Sequence, residues 1–81
     1  MINILYFGSL VDAFDRASDE LDLPPQVQDV QSLLFFLSLR GEVWARYLRN
    51  NPGLKITVNR KFAESGTPVK DGDEIALVAL G

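Results

Sequence analysis

Apolar residues fall along this chain in blocks whose spacing changes from two to nearly four and back. Ile2 to Phe7 is a run rich in β-formers, closed by Gly8. Its two faces, Ile2/Ile4/Tyr6 and Asn3/Leu5/Phe7, are both largely apolar, as a central strand requires. Ser9 can cap a short helix with Leu10, Val11 and Phe14 inward and Asp12 and Asp15 outward. Ser18 to Leu23, "SDELDL", alternates acid and leucine and predicts an edge strand with one wet face, ended by Pro24-Pro25.

The spacing then becomes helical. Val30, Leu33, Leu34 and Leu37 recur at i, i+3, i+4 and i+7 behind Asp29, a good N-cap. Ser32 stands where a reciprocal capping box would place Glu or Gln, so no box is expected. Arg40 and Gly41 are stop signals. Val43, Trp44, Tyr47 and Leu48 suggest a second helical segment, which would cover part of the apolar surface added by Phe35, Phe36 and Leu39.

Period two returns after the turn "RNNPG". Leu54, Ile56 and Val58 alternate with Lys55, Thr57 and Asn59, a strand with one buried face. "RKFAESGTP" reads as an irregular connection anchored by Phe62. "VKDGDE" is a turn, and Glu74 to Leu80 is the last strand. One main helix and four or five strands cannot cover both faces of a sheet. The economical packing lays the helix across one face of a mixed sheet, with the first and last strands paired at its centre. The expected fold class is α+β, a β-grasp (ubiquitin-like) architecture, with residues 1–81 forming a single domain.

Composition narrows the chemistry. Cysteine and histidine are both absent from the 81 residues. That excludes disulfides, a thiolate nucleophile, the commonest metal ligands and the usual general base near neutral pH. The net charge of −3 argues against a phosphate-tracking nucleic-acid footprint. The longest apolar runs fall far short of the ~20 residues of a membrane helix, and "MINILYFG" lacks the basic region of a signal peptide. A cytoplasmic protein that engages neither membrane nor nucleic acid is expected.

Four clusters merit weighing. "DGDE" carries a fragment of a calcium loop but reads better as a turn with Gly72 at positive φ. Asp12, Asp15, Asp19, Glu20 and Asp22 read as a solvated face and edge-strand protection, with a docking patch as the alternative. Arg60, Lys61 and Lys70 read as solvated charge or a salt-sensitive docking contact. Phe35, Phe36 and Trp44 are expected in the core under the second helix rather than as an exposed patch. No pair is placed for acid–base catalysis and there is no glycine-rich phosphate loop, so the chain is not expected to be catalytic alone.

The segments "INILYFGSLVDAF", "LDLPPQVQDVQSLLFFL", "GEVWARYL", "ITVNRKFA" and "TPVKDGDEIALV" together resemble the MoaD/ThiS family of sulfur carriers over nearly the whole chain, most closely its MoaD branch. Val58-Asn59, Pro68 and Asp71 to Ala76 carry most of that likeness. Two positions depart from the family pattern. The sequence ends Ala79-Leu80-Gly81 rather than Gly-Gly, and an arginine common in the family's first helix is Val11 here.

The resemblance implies a carrier that binds no cofactor itself. A ubiquitin-activating-type adenylyltransferase would use ATP to activate the carboxylate of Gly81, and a sulfur donor would convert it to a thiocarboxylate. A MoaE-like large subunit would receive the tail. Arg60, Lys61, Phe62, Leu77, Val78, Ala79 and Leu80 are the expected partner-binding residues. A ThiS-like carrier for thiazole synthesis and a β-grasp interaction module without sulfur chemistry remain the alternatives.

Overall fold

The computed structural model describes residues 1–49 and 51–79. The elements in chain order are β1 (Ile2–Gly8), α1 (Ser9–Phe14), β2 (Ser18–Leu21), α2 (Val30–Ser38), α3 (Glu42–Leu48), β3 (Leu54–Val58), β4 (Lys61–Phe62) and β5 (Glu74–Ala79). The strands make one mixed sheet in the order β2-β1-β5-β3-β4. β1 and β5 run parallel at its centre, in register from Asn3↔Glu74 to Gly8↔Ala79. β2 flanks β1 antiparallel, with Ile2 opposite Leu21 and Leu5 opposite Ser18. β3 flanks β5 antiparallel, with Leu54 opposite Ala79 and Val58 opposite Ile75.

Period-two alternation decides which residues form the core. Ile2, Ile4 and Tyr6 of β1 and Ile75, Leu77 and Ala79 of β5 are buried on one face of the sheet. Val30, Leu33 and Leu37 of α2 join them, with Leu10 and Phe14 of α1 and Leu48 of α3. The expected stripe of α2 holds at three of its four positions, since Leu34 is only half-buried at the rim. In α1 only Leu10 and Phe14, one turn apart, point inward. Val11 is 37% exposed, contrary to expectation, because a six-residue helix has one narrow buried face.

Local chemistry departs from the sequence reading in three further places. The first is the start of α2, which does carry a capping box. Asp29 Oδ1 accepts from the Ser32 N–H at 2.8 Å, and the Ser32 hydroxyl accepts from the Asp29 N–H at 3.1 Å. A hydroxyl both donates and accepts, so serine closes the reciprocal pair as glutamate would. The hydrogen bonds from the Ser32 side chain and backbone hold the Asp29 carboxyl below its ordinary range.

The second is the segment after β3. Asn59 and Arg60 have φ of 53° and 70° and form a two-residue turn that returns the chain as β4, with Val58 opposite Lys61. Positive φ at both central residues is the type I′ geometry that matches strand twist. Phe62 therefore projects outward, 86% exposed, rather than anchoring the connection.

The third concerns the aromatics. Phe36 and Trp44 pack against the core as expected, whereas Phe35 is 52% exposed.

The "KDGDE" segment is a turn, with Gly72 at φ +90°. Its buried Asp73 accepts from the Lys70 N–H and from Asn59 Nδ2, each at 2.9 Å. Asn59 Oδ1 in turn accepts from the Glu74 N–H at 3.0 Å. The turn before β5 is thereby tied to the hairpin after β3. The Met1 ammonium pairs with Asp71, and the Met1 carbonyl accepts from the Gly72 N–H at 2.8 Å.

Leu33→Ala is expected to cost about 2–5 kcal/mol as a full core truncation, and Leu34→Ala distinctly less. A denaturant titration of both variants checks this. Equal losses would mean that α2 sits rotated on the sheet.

Candidate functional site at the end of the last strand

β5 ends between two neighbours. Ala79 pairs with Gly8 on one side and with Leu54 on the other. Gly8 has φ +67°, and a Cβ placed there would overlap the Ala79 carbonyl oxygen. Only glycine allows this approach of the two strand ends. The Ser9 hydroxyl then donates to the Ala79 carbonyl at 3.2 Å. The backbone that leads to the terminal residues is thus held from β1, α1 and β3. Leu80 and Gly81, both expected to be functional, lie outside the described residues.

The expected partner-binding residues divide by parity. Leu77 and Ala79 are 0% and 2% exposed and face the helices, so their side chains offer no outer surface. The sequence grouping took the last strand whole, whereas alternate residues of a strand must point to opposite faces. Val78 points to the uncovered face, in register with Phe7 and Lys55. Ala76 sits beside Leu5 and Thr57, and Phe62 stands opposite Thr57. Leu5, Phe7, Ala76, Val78 and Phe62 therefore line an apolar strip across the face that no helix covers. Arg60 and Lys61 lie exposed at the hairpin along its edge. Arg60 Nε approaches Glu74 Oε1 only to 4.0 Å, an exposed pair that contributes little.

A polar cluster at the other side of the molecule escaped the sequence reading. Asp19, taken there as one of a set of solvated acids, is a junction. Its Oδ2 accepts from the Tyr6 hydroxyl at 2.8 Å and from Arg40 Nη1 at 2.7 Å, and its Oδ1 accepts from Arg16 Nη1 at 2.7 Å. Trp44 stacks on Phe14 with ring centroids 3.8 Å apart. The Arg40 guanidinium carbon lies 4.7 Å from the Trp44 ring centroid. β1, β2, α2 and α3 meet here.

Burial works to raise the Asp19 carboxyl, but hydrogen bonds from Arg40, Tyr6 and Arg16 outweigh it and hold the group below its usual range. Burial and then the Asp19 hydrogen bond push the Tyr6 phenol well above its ordinary value. The only sequence signal was parity: Asp19 lies on the inward face of β2, beside Ile4.

A mixed sheet with its first and last strands paired at the centre and helices on one face defines a ubiquitin-like β-grasp protein. The chain belongs to the ThiS family of ubiquitin-like sulfur carriers, whose family model matches residues 4–80. Comparison with curated protein sequences gave no significant match. Solved structures share the fold at low identity. Small archaeal modifier protein 1 of Haloferax volcanii superposes with a TM-score of 0.81 at 16% identity, covering 99% of this chain and 97% of the other. A Pyrococcus furiosus protein assigned as molybdopterin converting factor subunit 1 gives 0.77 at 18% identity, covering 99% and 97%. A complex of subunits 1 and 2 of molybdopterin-converting factor from Helicobacter pylori gives 0.67 at 21% identity, covering 99% and 93%.

Two expectations follow. Gly8→Ala should destabilise by more than about 1 kcal/mol, since alanine at positive φ is strained even before the overlap with Ala79. Thermal unfolding checks it, and an unchanged midpoint would refute the clamp.

The second concerns pH. A lowered Asp19 pKa contributes stability that is complete above the unfolded value of about 3.9 and is lost as pH falls through the folded value. The raised Tyr6 pKa makes stability decline as pH climbs above about 10, where the unfolded phenol ionises first. Asp19→Asn should flatten the acid limb and Tyr6→Phe the alkaline limb of stability measured against pH.

Proposed function

We propose that the chain is a MoaD-type sulfur carrier, the small subunit of a molybdopterin synthase, and that the Gly81 carboxylate is its working group. The observation that carries this reading is the match of the ThiS family model to residues 4–80, which reaches the last strand and the start of the tail. The clamp of Gly8 and Ser9 on Ala79 supports it, because a tail that must enter another protein's active site needs a fixed origin. In this reading a ubiquitin-activating-type adenylyltransferase joins the carboxylate to AMP with release of pyrophosphate from ATP. A sulfur donor then displaces AMP and leaves a thiocarboxylate. Glycine suits the end because it has no side chain to obstruct a narrow tunnel.

A MoaE-like large subunit is the proposed partner, by analogy with the subunit complex among the structural neighbours. The uncovered strip of Phe62, Val78, Phe7 and Leu5 is its docking surface, with Arg60 and Lys61 at the margin. Phe62 pairs with Thr57, and Thr57 with Ala76, so the exposed ring stands three residues, or about 10 Å, back from the end of β5.

The likeness to small archaeal modifier protein 1 favours a second reading, in which the activated carboxyl is passed to a protein amine. Intact mass after incubation with ATP, the organism's activating enzyme and a sulfur donor separates the two. Exchange of one oxygen for sulfur marks the carrier, and adducts of whole-protein mass mark the modifier. Gly81→Ala is expected to cut loading at least roughly tenfold, equivalent to about 1.4 kcal/mol. Phe62→Ala should weaken capture by the large subunit by about 1–2 kcal/mol, and Lys61→Glu should do so in a salt-dependent way. A chain that is never adenylated would leave only the interaction module.

A further inference from the structure

Among the described residues no strand pairs with the outer edge of β2, and a groove lies beneath it. Backbone groups alternate along each strand. The Asn3 N–H turns toward β5, bonding Asp73, and the Tyr6 N–H turns toward β2, bonding Ala17. Ile2 and Ile4 therefore exchange bonds with Leu21 and Asp19, and the N–H and C=O of Ser18 and Glu20 point away from the sheet. On the helical side of this edge a groove of about 330 Å³ is lined by Leu21, Asp22, Phe36, Leu39 and Arg40. Leu39 is 66% exposed.

The two features are in register. A strand added to β2 would bond to Ser18 and Glu20, and its alternate side chains would fall on the inner side, into the groove. Edge protection accounts for the acids of β2 but not for large apolar side chains left open directly under the edge.

We infer that the β2 edge and this groove bind an extended segment of a partner protein that alternates large aliphatic with basic residues. The aliphatic positions enter between Leu21, Phe36 and Leu39. The basic positions lie on the other side, opposite the exposed Glu20, with Asp22 at the end of the groove. A second copy of β2 is excluded as the occupant by its own sequence. Pairing "SDELD" with itself would set carboxylates against carboxylates across the new ladder. The site is separate from the uncovered strip proposed above for the large subunit. Its open edge is β2, at the opposite end of the sheet from β4, where Phe62 lies.

The test uses the full chain, and the probe is a capped synthetic peptide alternating isoleucine and lysine. Binding should shift the amide resonances of residues 18–22 and 36–40. Glu20→Pro removes the donor that faces the open edge, a place where proline is tolerated, together with the carboxylate opposite the basic positions. It should keep the melting temperature within a few degrees and weaken the peptide at least roughly tenfold. Leu39→Glu, at an exposed position, should do the same, and Phe62→Ala should leave binding unchanged. Replacing the peptide lysines by glutamates should also lose roughly tenfold, with the difference shrinking at high salt. Shifts confined to Leu5, Phe7, Val78 and Phe62 would overturn the inference. So would undiminished binding to folded Glu20→Pro, or a β2-mediated dimer seen by sedimentation without peptide.

Discussion

The parallel pairing of β1 with β5 is the constraint on which the rest depends. It joins the two ends of the described chain at the middle of the sheet, Asn3 beside Glu74 and Gly8 beside Ala79. β2 is added to β1 and β3 to β5, with β4 outside β3, and the helices cover the face that Ile2, Ile4, Tyr6, Ile75, Leu77 and Ala79 present. Parallel neighbours need a crossover, and here nearly the whole chain is that crossover. Closing so long a loop costs entropy before any contact returns it. The Met1–Asp71 pair, the Met1–Gly72 bond and the Asn59–Asp73 link fasten the start of the pairing, and Gly8 and Ser9 fasten its end. The sulfur-carrier reading uses the same constraint, since a central strand gives the tail a rigid base.

Much of this architecture is written in hydrophobic period alone. Ile2 to Phe7 and Glu74 to Leu80 read as central strands because each is a nearly continuous apolar run. Val30, Leu33, Leu34 and Leu37 read as an inner stripe because of their helical spacing, and the structure keeps all but Leu34 fully inside. What the sequence did not disclose depended on contacts between distant segments. Asp19 is acidic in a row of acids, and only its parity within the strand distinguishes it. It becomes a junction only when β2 pairs with β1 and α2 brings Arg40 across. Phe62 looked like an anchor because large aromatics usually are. The I′ turn at Asn59-Arg60 instead carries it to an edge strand with no helix above it.

The candidate site shows the same division. Its position at the end of the last strand was legible from the apolar run that finishes the chain. The proposed partner surface could be read only as a segment, because a strand pattern shows that faces alternate without showing which face the helix will cover. Once the sheet closes, Val78 joins Phe7 and Leu5 outside, and Leu77 goes inside. The serine at the start of α2 is a smaller instance. Its capping role rests on the geometry of one hydroxyl against one carboxylate rather than on residue type.

The aromatic stack gives the molecule a built-in optical reporter. Trp44 is the only tryptophan of the sequence. It is nearly coplanar with Phe14, at an interplanar angle of 3°, and it sits beneath the Arg40 guanidinium that also binds Asp19. Its emission therefore responds to the docking of α3 on α1 and to the charge state of the junction, while the β3–β4 side of the sheet contributes little to it. Tryptophan fluorescence set against far-ultraviolet circular dichroism would reveal whether the helical layer loosens before the sheet opens, with no label attached to the carrier or to its tail.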